Sequence, residues 1–298
     1  MTASPARFGL SCALATPFTE AGQPDLPRLV AHARSVLARG CGSITVFGTT
    51  GEGPLLGLGE RLRVLGALQG AGLDLRRQVV GGVIAASLEE AEGQARMLLE
   101  NDARALLIAP SFYFKGVSED GVFDWFAALF ARLGGAARDV ILYNIPSVTA
   151  VPMPLSLITR LRRAFPELII GVKDSSGDWA YTEALLAEHR DLAILIGDER
   201  HLAEGVRRGG QGAISGLANI IPETLLPLAL QGAGNEAVVG VVEAVLRHPV
   251  TPAVKALIAE QTGDAEWLRV LPPLRALGDA AITRLRAEVT QALAARAA

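Results

Sequence analysis

The chain has 298 residues, half of them apolar and one fifth charged, with a formal net charge of −3. That is the composition of a globular protein with ample core material, and its mild acidity, free of blocks of like charge, excludes an electrostatic footprint for nucleic acid or an anionic membrane. No apolar run approaches the roughly 20 residues that span a bilayer, and the opening MTASPARFGLSCALATPF lacks a charged segment followed by a long apolar one, so neither membrane insertion nor secretion is expected.

The first apolar run, GLSCAL from Gly9, holds Cys12; the other cysteine, Cys41, precedes the second run. Two cysteines make no disulfide framework and suit a reducing cytoplasm. Between them DLPRLVAHARSVLARG places Leu26, Leu29, Val30, Ala33, Val36 and Leu37 on one helical stripe. The second run, SITVF from Ser43, leads into GTTGE at 48–52. This stretch reads either as a strand-to-helix turn capped by Thr50, or as a nest of backbone N–H groups and hydroxyls, with Thr49, Thr50 and Gly51, that grips a carboxylate. The third run, VVGGVIA from Val79, is followed by SLEE at 87–90, whose spacing is that of a capping box. After the fourth, ALLIAP from Ala105, comes Tyr113 among aromatic neighbours that suggest interface or core packing, and then EDGVFDWFAALFARL with a second helical stripe.

The fifth run, VILYNIP from Val140, ends near Tyr143, which reads as a core tyrosine or as a proton shuttle. The sixth, IIGVKD from Ile169, carries Lys173. Lysine occurs three times in this chain, at 115, 173 and 255, against 25 arginines (28 basic residues less three). An isolated lysine is ordinarily solvated, yet this one follows Ile169, Ile170 and Val172 near a strand end. Desolvation favours the neutral amine, which attacks a ketone to form a Schiff base, whereas a guanidinium stays protonated and cannot. An amine facing a carboxylate cradle describes a site for a 2-oxo acid. AILIGD from Ala193 and GAISG from Gly212 complete eight runs.

Continuous apolar runs alternating with helices imply an α/β fold, a (β/α)8 TIM barrel over residues 1–224, and the helical patterns beyond Leu225 a C-terminal helical extension over 225–298. An open doubly wound sheet is the rival, but no G-x-G-x-x-G follows the first strand. His32, His189, His201 and His248 are scattered without metal-ligand spacing, and neither a G-x-S-x-G elbow nor a P-loop occurs.

GTTGE at 48–52, YNIPS at 143–147, GVKDSSGD at 171–178 and GGQGAISGLANIIPE at 209–223 together resemble the dihydrodipicolinate synthase / N-acetylneuraminate lyase family of class I, Schiff-base aldolases, in its motif order and over nearly the whole chain. The resemblance implies a homotetramer built as a dimer of dimers, with Lys173 as the imine-forming lysine and Tyr143 as the proton relay. It implies Thr49 and Thr50 as carboxylate ligands, Tyr113 at a neighbouring subunit's site, and Ile214 in the pocket wall. Asp198 and Glu199 fall where lyases of the family bind substrate hydroxyls, although a helix start with an N-cap is an equal reading. Synthases of the family carry an arginine after YN-x-PS, and here that position is Val148. The expectation is therefore a class I aldolase or lyase that exchanges a 2-oxo acid with pyruvate and an aldehyde, of the 2-keto-3-deoxy sugar acid type. Lys173, Tyr143, Thr50 and Tyr113 would be its catalytic residues, with no metal, flavin, pyridoxal phosphate or nucleotide. Dihydrodipicolinate synthase is the alternative, and a non-catalytic 2-oxo acid sensor a further one.

Overall fold

In the computed structural model, which describes residues 8–234 and 236–294, each of the eight apolar runs is a strand. The opening MTASPAR and the last four residues of the final helical pattern lie outside the described residues. The strands are β1 Gly9–Ala13, β2 Ser43–Val46, β3 Val79–Val83, β4 Ala105–Ile108, β5 Val140–Asn144, β6 Ile169–Asp174, β7 Ala193–Ile196 and β8 Gly212–Ser215. Each pairs in parallel with the next, and β8 returns to β1 with Gly9 opposite Gly212 and Cys12 opposite Ser215. The sheet is thus closed, a TIM barrel and not an open doubly wound sheet.

Alternation along each strand divides the core in two. On β5, Val140 and Leu142 face the helices, and Ile141 and Tyr143 face the barrel interior with Val80, Leu107, Leu195 and Ile214. Outside the strands, Leu65, Leu98 and Phe126 are fully buried. Each such side chain contributes roughly 1.5–3 kcal/mol by leaving water, so the mouth loops stand on a rigid wall.

The helix starts follow their caps. Asp25 accepts from the Arg28 N–H at 3.0 Å ahead of Leu26–Ala38, and Ser118 from the Gly121 N–H at 3.1 Å ahead of Glu119–Leu133. Ser87 accepts from the Glu90 N–H at 3.2 Å, but the Glu90 carboxylate takes a hydrogen bond from Gln94 instead of reaching back, so the expected capping box is half made.

Helix Pro222–Gln231 packs on β1 and on the helix before it, and position 224 lies within it. Helices Glu236–Leu246 and Val250–Thr262 follow, and Asp279–Ala294 packs along the first of these. Among the described residues no single helix is long and apolar enough to cross a membrane.

Candidate active site

Parallel register sets Tyr143 directly beside Lys173, and both side chains point into the barrel. Lys173 is 6% exposed. Its Nζ donates to the Tyr143 hydroxyl at 3.2 Å and stands 4.4 Å from the centre of the tyrosine ring. The Thr49 hydroxyl lies 3.4 Å from the same phenol oxygen. Amine, phenol and threonine hydroxyl therefore form one continuous line across the mouth. Thr50, expected among the catalytic residues, also lines the cavity, but the threonine hydroxyl that reaches the Tyr143 phenol is that of Thr49.

The GTTGE loop is held from below and from above. Backbone N–H groups of Thr49, Thr50 and Gly51 donate to no acceptor among the described residues, which leaves them for an anion. The Gly51 carbonyl accepts from the Thr16 hydroxyl at 2.7 Å. A Cβ at Gly53 would lie 1.8 Å from the Phe47 carbonyl oxygen, so the loop folds this tightly because that residue is glycine. The buried Arg61 guanidinium donates to the carbonyls of Leu56, Gly82 and Gly53, and burial pushes it down to about 10.

Glu52, in the left-handed region at φ 56°, turns inward to meet Lys255 at 2.7 Å, with both side chains fully buried. Lys255 also donates to the Thr16 carbonyl at 2.9 Å, and the Leu271 N–H donates to Glu52 at 2.7 Å. Burial pushes the Glu52 carboxyl up and the Lys255 ammonium down, and each partner opposes the shift of the other. From the same helix the Thr251 hydroxyl donates to the Thr49 carbonyl at 3.3 Å. The C-terminal helices thus position the cradle, a role that the sequence does not announce.

The remaining polar residues of the motifs are fasteners. Asp174 accepts from Asn144 at 2.9 Å, from Thr182 at 2.6 Å, and from the Ser176 N–H and hydroxyl at 3.1 and 3.2 Å, facing away from Lys173. Asn219 donates to the Ala13 and Gly216 carbonyls, both at 2.8 Å, and accepts from the Ala15 N–H at 3.0 Å, joining the tops of β8 and β1. A buried polar group with all its partners in place orders its surroundings.

Above Lys173 lies a cavity of about 210 Å³, lined by Thr49, Thr50, Tyr143, Ile214 and Glu199 among others and roofed by side chains of Glu236–Leu246 and Val250–Thr262. Glu199 is buried; the Ser215 hydroxyl donates to it at 2.5 Å. Burial pushes its carboxyl above the usual range, with the Ser215 bond and Lys173 pulling the other way. Its neighbour Asp198 does not line the cavity. It accepts from the Arg200 N–H at 3.0 Å and pairs with the guanidinium at 2.7 Å, and although burial works the other way, these contacts hold it below the carboxylate range. Asp198 is thus the helix-start cap, and Glu199 alone of the two reaches the pocket.

Tyr113 is 72% exposed, packed edge-on against Phe114 at 5.2 Å between ring centres, and takes no part in this chain's own cavity. Val148 stands at the rim. Cys12 and Cys41 are buried and free, and burial pushes the Cys41 thiol up to about 12. Among the described residues no three or more His, Cys, Asp or Glu side chains converge as metal ligands would.

The model of the dihydrodipicolinate synthetase family matches residues 7–265. The chain is 32% identical to an uncharacterized DapA-like lyase of Chloroflexus aurantiacus over 96% of its own length and 97% of the relative's. It is 48% identical to a crystal structure described as dihydrodipicolinate synthase from Agrobacterium tumefaciens, with a TM-score of 0.93, covering 96% of this chain and 99% of that one. A prophage protein of the dihydrodipicolinic acid synthase family from E. coli K12, solved with pyruvate, shares the fold at 22% identity and a TM-score of 0.85, over 96% of this chain and 98% of that one.

Proposed function

The chain belongs to the dihydrodipicolinate synthetase family and is a lyase of its pyruvate-dependent class I type, and on that footing we propose that it joins pyruvate reversibly to an aldehyde through an imine on Lys173. The observation that carries this reading is the unbroken line from Lys173 through Tyr143 to Thr49 on the wall of a roofed cavity.

In the proposed cycle Lys173 Nζ attacks the C2 carbonyl of pyruvate. Tyr143 passes a proton to the departing oxygen, which leaves as water. The protonated imine then withdraws electrons, and C3 gives up a proton to the Tyr143–Thr49 pair. Free N–H groups at Thr49, Thr50 and Gly51, with the Thr50 hydroxyl, hold the C1 carboxylate. The resulting enamine adds to the aldehyde carbon, and water releases the product from the lysine. Glu199, whose carboxyl burial pushes up, faces the oxygen on C4. We assign Tyr113 to the site of a neighbouring copy, within a tetrameric assembly.

One observation favours a second reading: the 48% identity to the Agrobacterium protein described as dihydrodipicolinate synthase. Against it stands Val148, an apolar side chain where a bidentate carboxylate clamp would be needed. Of the two carboxylates expected to meet substrate hydroxyls, Glu199 alone lines the cavity, since Asp198 is engaged by Arg200.

Borohydride reduction with pyruvate, followed by peptide mass spectrometry, tests the proposal. A stable pyruvate adduct on Lys173 is expected, absent from Lys173→Arg. Folded wild-type protein that yields no adduct overturns it, and an adduct without turnover on any aldehyde leaves only a 2-oxo acid sensor.

A further inference from the structure

The cavity is polar where the chemistry occurs and mostly aliphatic elsewhere. Val242, Val245 and Leu246 descend from one roof helix, Val250 and Val254 from the other, and Val148 joins the lining from the short helix Pro146–Thr149 after β5. Apart from the Lys173–Tyr143–Thr49 line and Thr50, the polar side chains lining this cavity are Ser147, Ser175 and Glu199. Lys173 is the one basic side chain among its lining residues, and its nitrogen is taken up in the imine.

Such a wall discriminates by what it cannot offer. A second carboxylate entering the cavity would lose water and find no guanidinium or ammonium to replace it. A chain of hydroxyls would meet mostly aliphatic side chains, and of the three further polar side chains that this chain supplies, Glu199 already serves C4. A hydrocarbon group gains on the same surface, by about fourfold in equilibrium per buried methylene.

We propose that the aldehyde half of the substrate is an alkyl or aryl group bearing neither a carboxylate nor a run of hydroxyls, so that the joined product is a 4-hydroxy-2-oxo acid with its hydrocarbon tail against the valine roof. This rests on the pyruvate–lyase reading above and narrows it. In the bond-forming step, C3 of the pyruvate enamine bonds to the aldehyde carbon and the aldehyde oxygen takes a proton from Tyr143. Water then hydrolyses the imine and regenerates the amine. Every atom of pyruvate and aldehyde is retained, and no oxidant or reductant enters. Val148, Val245 and Leu246 set the specificity.

The test uses the full chain with saturating pyruvate and measures pyruvate consumption with propanal, butanal, pentanal, benzaldehyde, glyceraldehyde and aspartate semialdehyde, alongside borohydride trapping. Expected is a rise in kcat/KM of about fourfold per methylene from propanal to pentanal, with glyceraldehyde and aspartate semialdehyde at least about tenfold below butanal. Val148→Arg, a change at an exposed rim position, is expected to flatten the alkyl series and to raise turnover of aspartate semialdehyde. An adduct on Lys173 with a flat series, with no aldehyde turned over, or with glyceraldehyde or aspartate semialdehyde preferred, overturns this inference and leaves imine formation standing. Absence of any adduct removes the pyruvate reading and this inference with it.

Discussion

Replacing Lys255 by methionine isolates the tie between the C-terminal helices and the carboxylate cradle. The side chain keeps most of its length and loses its ammonium, so the Thr16 carbonyl loses its donor and Glu52 keeps only the Leu271 N–H. Both partners are fully buried, and removing one member of such a pair costs about 3–5 kcal/mol. At roughly 2 °C per kcal/mol for a chain of this size, the Tm should fall by about 6–10 °C. The sign of the pH dependence follows from Glu52. Its carboxyl is already raised by burial, and without Lys255 to oppose this it rises further. A raised carboxyl binds more protons folded than unfolded, so stability falls as pH climbs from the unfolded value of about 4.3 through the folded one. The deficit of the variant should therefore be small near pH 5 and large at pH 8. Thermal melts across that range check it, and Glu52→Gln combined with Lys255→Met should recover most of the loss. A deficit below about 1 kcal/mol, or one equal at both pH values, would refute a buried charged pair.

Three other outcomes test the site itself. Tyr143→Phe should lower kcat by about 10²–10⁴ with an unchanged melt, and a loss below about tenfold would remove Tyr143 from the proton path. Thr49→Val should lower kcat and Thr50→Val should raise the KM for pyruvate, each by about tenfold; the reverse pattern in steady-state kinetics would exchange their roles. Glu199→Gln retains an acceptor for Ser215 and removes a carboxyl raised by burial, so the variant should lose the decline in stability that the wild type shows as pH rises above about 4.3. Identical pH slopes in the melts would show that Glu199 does not titrate in that window.

The barrel was legible because parallel strands covered on both faces must be continuously apolar, and eight such runs leave few closures. Strand ends were less so: VVGGVIA suggests a strand to Ala85, but pairing stops at Val83, where Gln94 takes over the Ile84 N–H. Lys173 and Tyr143 stood out because an amine or phenol at the end of an apolar run is chemically conspicuous. Thr49 and Thr50 could be found as a pair but not told apart, since which hydroxyl meets Tyr143 depends on how the loop turns. Asp198 and Glu199 illustrate the same limit, adjacent carboxylates of which one caps a helix and the other reaches the cavity. Lys255 gave no local signal at all. Its partner lies 203 positions away, and only closure of the barrel brings them together.

The residues that would make and break bonds fall between positions 49 and 173 on the barrel, whereas the aliphatic ceiling comes from 242–254. Apart from Val148, selectivity is therefore encoded in a stretch of the gene separate from the one that encodes reactivity. A lineage can rewrite the ceiling to accept a new partner molecule while the imine machinery stays under undisturbed selection, provided position 255 keeps its amine.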